Sequence, residues 1–169
     1  IPVQGGEDYA FDGFSVRVIP GLHSALDDKH TFGAGDVIAD GVLPTSFAAF
    51  GEGGTFDYLV RLGGKQVLFI GSANYIEREL EGLRPDVAVV ATGLRDEIHD
   101  YSARLMAALG APPLVLANHF DAWREPLGAP LDDATRADLV AFAAEIHAAA
   151  RHARGVVPQR VEQSDLATG

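Results

Sequence analysis

The chain is 169 residues long and sets 13 basic against 24 acidic residues, for a net charge of −11. That length supports one domain with its own core, and an acidic chain whose few arginines are scattered is a poor partner for nucleic acid or an anionic membrane surface. With no cysteine it excludes disulfides, thiolate metal sites and cysteine nucleophiles, and no apolar run approaches the length of a membrane span.

In chain order, the first signal is Tyr9–Ile19, where Phe14, Val16 and Val18 alternate with Ser15 and Arg17. The alternation predicts a strand with one covered face, and Asp12-Gly13 predicts a hairpin turn inside it. Pro20-Gly21 ends the run. Residues 24–54 hold Asp27, Asp28, His30 and many glycines without a period, and read as an insertion over one end of the sheet, with a short helix near Ser46–Phe50. Phe56–Leu62 and Lys65–Ile70 predict a second hairpin, closed by Gly63-Gly64, two residues that both tolerate positive φ.

Tyr75–Leu83 predicts a helix capped by Asn74. Val87–Ala91 and Leu114–Ala117 are continuous apolar runs, the mark of interior strands. Between them a helix opens at Asp100 or Ser102 and stops at Gly110. Asp132 or Asp133 caps a long helix to about Arg151, with Leu139, Phe142, Ala143, Ile146 and Ala150 on one stripe. From Gly155 onward the chain carries no core signal, so residues 155–169 are expected to fray. A meander followed by strand–helix alternation predicts an α/β layered domain over residues 1–169. Its helices are too few to cover both faces of the sheet, which predicts an apolar face covered by another segment or chain.

Two of these strands end on histidine. Phe14–Ile19 leads to His23, Leu114–Ala117 leads to His119, and Val67–Ile70 ends on Gly71-Ser72-Ala73-Asn74. Loops on the rim of a rigid sheet commonly carry function, and neutral imidazole is a common zinc ligand. From spacing alone, hydrogen-bonded loop histidines are the plainer reading. His99, before a helix, is a candidate to face a substrate or a solvated loop residue. His30 with its two aspartates reads as a hydrated loop, and His147 and His152, five apart, as surface residues. Neither glycine-rich stretch has the lysine and hydroxyl of a phosphate loop, and Ser24, Ser72 and Ser102 lack the G-x-S-x-G elbow.

Taken together, Phe11-Asp12-Gly13-Phe14 through Ile19-Pro20-Gly21-Leu22-His23-Ser24, Tyr58-Leu59-Val60 with Gly63-Gly64-Lys65-Gln66-Val67-Leu68-Phe69-Ile70-Gly71, Pro85-Asp86-Val87-Ala88-Val89-Val90, and Leu114-Val115-Leu116-Ala117-Asn118-His119-Phe120 resemble the second half of a metallo-β-lactamase-fold hydrolase. The branch resembled is that of the ascorbate-6-phosphate lactonase-like metallohydrolases, over roughly residues 7–125. The resemblance implies half of an αββα sandwich, with a mixed, largely antiparallel sheet and flanking helices. The other half, which carries the family's H-x-H-x-D-H signature, is absent from this sequence. Together with a start at Ile1 and a single methionine at Met106, this gives the expectation of a piece of a longer product.

The resemblance implies a zinc-activated water attacking an ester, lactone or phosphoester of a small molecule, with His23 and His119 as ligands. Ser72 stands where the family's bridging aspartate would be, which implies one zinc rather than two. Asn74, His99 and Asp121 are near-site candidates. Implied partners are the missing amino-terminal half and the substrate, with a homo-oligomer open. The isolated chain is expected to be inactive. The alternative is a degenerate, metal-free member of the fold acting as a binding or structural module; a third reading is an ordinary α/β domain with incidental histidines. The compartment, cytoplasmic or secreted, stays open.

Overall fold

The computed structural model describes residues 1–26, 54–120, 125–126 and 129–158. The sheet begins with two hairpins. Strands β1 (Asp8–Phe11) and β2 (Phe14–Pro20) are joined at Asp12-Gly13, and β3 (Phe56–Leu62) and β4 (Lys65–Ile70) at Gly63-Gly64. Both glycines of the second turn have positive φ, +58° and +77°, as a tight two-residue hairpin requires.

From β4 the chain changes to crossover connections. Helix α1 (Glu77–Leu80) leads to β5 (Val87–Ala91), a 3-10 turn (Arg95–Glu97) and helix α2 (Tyr101–Ala108) lead to β6 (Leu114–Asn118), and helix α3 (Asp133–Ala149) leads to β7 (Arg154–Val156). The seven strands lie in chain order across one sheet. β1 to β4 pair antiparallel and β4 to β7 pair parallel. The expected α/β class is observed. The sheet is evenly mixed, with three pairings of each kind, where a largely antiparallel one was expected.

Two expectations need adjustment. α1 is one turn long, and its cap position is Ile76, with no side-chain bond; Asn74 is engaged elsewhere. The segment expected to fray at Gly155 first forms β7, parallel to β6. The helix expected near Ser46–Phe50 lies outside the described residues. At α3 the expectation holds: Asp132 caps it, accepting from Thr135 N–H at 2.7 Å.

The core lies on one face of the sheet. Leu59, Leu68, Ile70, Ala88, Val90, Val115 and Ala117 meet Leu80 of α1, Leu105 and Met106 of α2, and Leu139, Phe142 and Ile146 of α3. An ion-pair clamp ties this helical layer together. Arg95, 5% exposed, donates to Asp138 at 2.6 and 2.7 Å and to Glu145 at 2.9 Å. Ser102 of α2 donates to Glu145 at 2.6 Å, and the guanidinium lies 5.5 Å from the centre of the Phe142 ring.

The opposite face has no helical cover among the described residues. Phe11, Phe14, Tyr58, Leu62 and Phe69 are exposed there, and Val16, Val60, Val67, Val89, Leu114 and Leu116 are half-buried. Among the described residues no helix is long and apolar enough to cross a membrane.

Removing the centre of the clamp leaves Glu145 without its counter-charge. Arg95→Ala is expected to lower stability by about 2 kcal/mol, below the range for fully buried pairs because both carboxylates are partly hydrated. Urea unfolding checks this: the midpoint should fall with an unchanged slope, and an unchanged midpoint would remove the clamp from the stability argument.

Candidate functional site

The pairing pattern sends the carboxyl ends of β2, β4, β5 and β6, and the amino end of β3, to one edge of the sheet. The segments that carry His23, Ser72, Thr92 and His119 all start there. β2 and β6 are four strand spacings apart, about 19 Å, so their histidines meet only if the loops lean inward.

Both loops do. The segment after β2 reaches the end of β4, where Ser24 Oγ accepts from Ala73 N–H at 2.8 Å and the His23 carbonyl accepts from Asn74 Nδ2 at 3.1 Å. The His119 segment reaches the end of β5. Thr92 N–H donates to the Asn118 carbonyl at 3.0 Å. A Cβ at Gly93 would stand 3.0 Å from the His119 carbonyl oxygen and 3.5 Å from its Nδ1. The loop bearing His23 is therefore anchored at the end of β4, and the His119 ring lies at the end of its neighbour β5.

His23 is half-buried, and its Nδ1 lies 3.1 Å from the Ser24 carbonyl. A carbonyl only accepts, so as a hydrogen bond this contact belongs to the tautomer with its proton on Nδ1. His119 is exposed and has φ +51°, a left-handed conformation that costs a non-glycine residue about 1–2 kcal/mol. Such strain collects at functional sites.

Ser72 and Asn74 are both buried. Asn74 is a clasp rather than a helix cap: its Oδ1 accepts from Tyr75 N–H at 2.9 Å while its amide holds the His23 carbonyl. His99 stands in solvent beside Asp100, with Nε2 3.3 Å from the carboxylate. His152 Nε2 lies 3.1 Å from the Ala111 carbonyl, away from the rim. Asp121, and Asp27, Asp28 and His30, lie outside the described residues.

Sequence reasoning missed Asp57. It lies on the covered face in phase with Leu59, is 1% exposed, and packs its carboxyl against Gly21, where a Cβ would come within 3.3–3.4 Å of it. Burial pushes its pKa up to about 8, against the opposing pull of a hydrogen bond from the Gly71 backbone. Its Oδ2 has no hydrogen-bond partner, and neither has the buried Oγ1 of Thr92 at the end of β5. Buried polar groups are nearly always paired, so two orphans beside this rim mark it as unusual. The available signal was an aspartate at a core-facing position of an alternating strand.

A catalytic zinc takes three protein ligands and keeps one position open. The rim carries two imidazoles, those of His23 and His119. Among the described residues no three histidine or acidic side chains stand together as a metal cluster, so these residues provide part of a donor set. Compared with known proteins, the chain matches no family model and no curated sequence.

Two outcomes test this description. Unfolded, Asp57 ionises near pH 4; folded, it keeps its proton to about pH 8. The folded state binds the extra proton between these values, so this contribution is complete below about pH 4 and is lost as pH rises to about 8, by at most about 1.4 kcal/mol per pH unit. Asp57→Asn cannot ionise. Urea unfolding at successive pH values should show a decline in the parent protein that the variant lacks, and parallel curves would refute the buried acid.

The second outcome concerns Gly93, which admits His119 by having no side chain. Gly93→Ala should shift the His119 ring resonances in a proton–nitrogen correlation spectrum and leave those of His152 unchanged. Unmoved His119 resonances would remove the close approach.

Proposed function

We propose that the chain is part of a metal-dependent hydrolase of the metallo-β-lactamase fold, with His23 and His119 as two ligands of a single zinc. The observation that carries the reading is the rim itself. The loop bearing His23 and the ring of His119 are drawn to the ends of neighbouring strands, and His23 Nδ1 is committed to a carbonyl. When bound, zinc supplies a water acidic enough to act as a nucleophile near neutral pH on an ester, lactone or phosphoester. Asn74 and Ser24 position the His23 segment, and Gly93 leaves room for His119.

Ser72 supplies no charge, because a neutral hydroxyl is a far poorer zinc ligand than a carboxylate. The resemblance assigns the remaining ligands to the other half of the fold. The second reading, a metal-free binding module, is favoured by Ser72, which stands where the resemblance expects aspartate.

Zinc uptake separates the two. In equilibrium dialysis followed by elemental analysis, the chain should hold zinc weakly, and His23→Ala or His119→Ala should each lower occupancy at least about tenfold. Ser72→Asp should raise it. Zinc binding that ignores all three substitutions sinks the metal reading. The chain by itself is expected to show no ester or lactone turnover, since two ligands do not close a catalytic site.

A further inference from the structure

The zinc reading gives Asp57 no task, although two rim loops meet over it. Its carboxyl accepts from the Gly71 N–H, where the loop bearing Ser72 and Asn74 leaves β4. The same carboxyl packs against Gly21, where the loop bearing His23 leaves β2. Gly21 is held there by its own N–H, which donates to the Thr55 carbonyl at 2.9 Å, two residues before Asp57. Further out the loops clasp each other, through Ala73 N–H on Ser24 Oγ and Asn74 Nδ2 on the His23 carbonyl. One side chain thus touches the root of each loop, and the clasp joins the loops beyond it.

The two contacts differ in kind. A Cβ at Gly21 would come within 3.3–3.4 Å of both carboxyl oxygens and the carbon between them, tighter than side chains normally pack. At Gly71 nothing among the described residues lies within 4 Å of such a Cβ. The carboxyl is therefore fitted to the His23 loop by shape and to the Ser72 loop by a hydrogen bond. Around it stand Ile19 of β2, Ile70 of β4 and, from α2, the Tyr101 phenol, which burial keeps from ionising. None of these elements brings it a cation, so among the described residues nothing offsets a charge there and burial keeps the carboxyl neutral.

We propose that Asp57 is a positioning residue for His23: its neutral carboxyl is the buried pin on which the His23 loop and the Ser72 loop close. Ionised in the same place, it is a buried charge without a counter-ion, a costly arrangement. Opening the clasp admits water to it. That is a smaller change than unfolding the sheet, since the clasp rests on two side-chain hydrogen bonds. The closed rim then holds one proton more than the open rim between about pH 4, where a hydrated aspartate ionises, and about pH 8. Raising pH through this window favours opening, by up to about tenfold per unit for one proton. The metal reading enters only in what His23 does once positioned; closure is a property of the metal-free chain.

Amide hydrogen exchange of the metal-free chain tests it. The Ala73 amide reports the clasp, and the amides of Val115 and Phe142 report global unfolding. Protection factors remove the intrinsic pH dependence of exchange. On that scale Ala73 should be less protected than the core amides, and should lose protection by up to about tenfold per unit from about pH 5 to about pH 8. Asp57→Asn keeps the size and the acceptor for Gly71 and cannot ionise, so its Ala73 profile should be flat. Gly21→Ala should lower Ala73 protection about fivefold or more by crowding the carboxyl. Gly71→Ala, whose methyl enters open space, should leave it unchanged. The two glycine variants carry the test if Asp57→Asn does not fold. Ala73 protection equal to that of the core at every pH overturns the inference. So do parallel profiles in the parent chain and Asp57→Asn, or equal effects of the two glycine variants. No zinc is present, so a chain that never binds zinc sinks the metal reading and leaves this result standing.

Discussion

One constraint organises the molecule: from β4 onward the chain always crosses to the next strand in the same direction. Parallel crossovers are right-handed almost without exception. A sheet that grows strictly β4, β5, β6, β7 must therefore place α1, α2 and α3 on one side. The buried set confirms that side, since Leu68, Ala88 and Val115 are core while Phe69 and Val89, one residue along, are not. A doubly wound sheet avoids this outcome by reversing direction midway. This chain does not reverse among the described residues: β1–β2 and β3–β4 are joined by tight hairpins, and every described helix follows β4.

The same constraint produces the rim. Parallel strands end together, and β2 joins them because two antiparallel steps restore its direction. Four strand ends on one edge explain how residues 96 positions apart in sequence, His23 and His119, occupy a common rim. The rim then departs from ordinary packing in three ways: a left-handed histidine, a buried acid without a full set of partners, and a threonine hydroxyl without any. An isolated defect costs stability without return. Several at one edge are the observations on which the proposed site rests.

Much of the fold was legible because its signals are local. Gly63-Gly64 dictates a turn by its φ values, Val87–Ala91 declares an interior strand, and Asp132 caps α3 through its own carboxylate. What escaped was set by distant contacts. β7 is three residues long and contains Gly155, whose missing side chain lets α3 approach: a Cβ there would lie 3.0 Å from Ala143 Cα. Nothing in its sequence announces a strand, and its pairing with β6 makes it one. Asn74 has the composition of a helix cap, yet the loop bearing His23 claims its amide. The common edge of His23 and His119 was readable from their place after apolar runs. Asp57 was hidden because an aspartate within an alternating strand ordinarily faces water, and only the register with Ile19 and Ile70 turns it inward.

Rim and open face are also joined in space. Asn118 is the last residue of β6, in register with Ala91 on the same side as Val89 and Leu116, and it immediately precedes His119. Phe56 holds the matching place at the start of β3, opposite Pro20. Any layer seated on the open face therefore ends against these two residues and forms a second wall of the rim. Water now reaches His119 freely, and in high dielectric the field of a charged or polar group is weak. A covering layer would lower that dielectric and strengthen every interaction the imidazole makes. Any chemistry at the rim would thus depend in part on what occupies the side of the sheet that the crossovers leave bare.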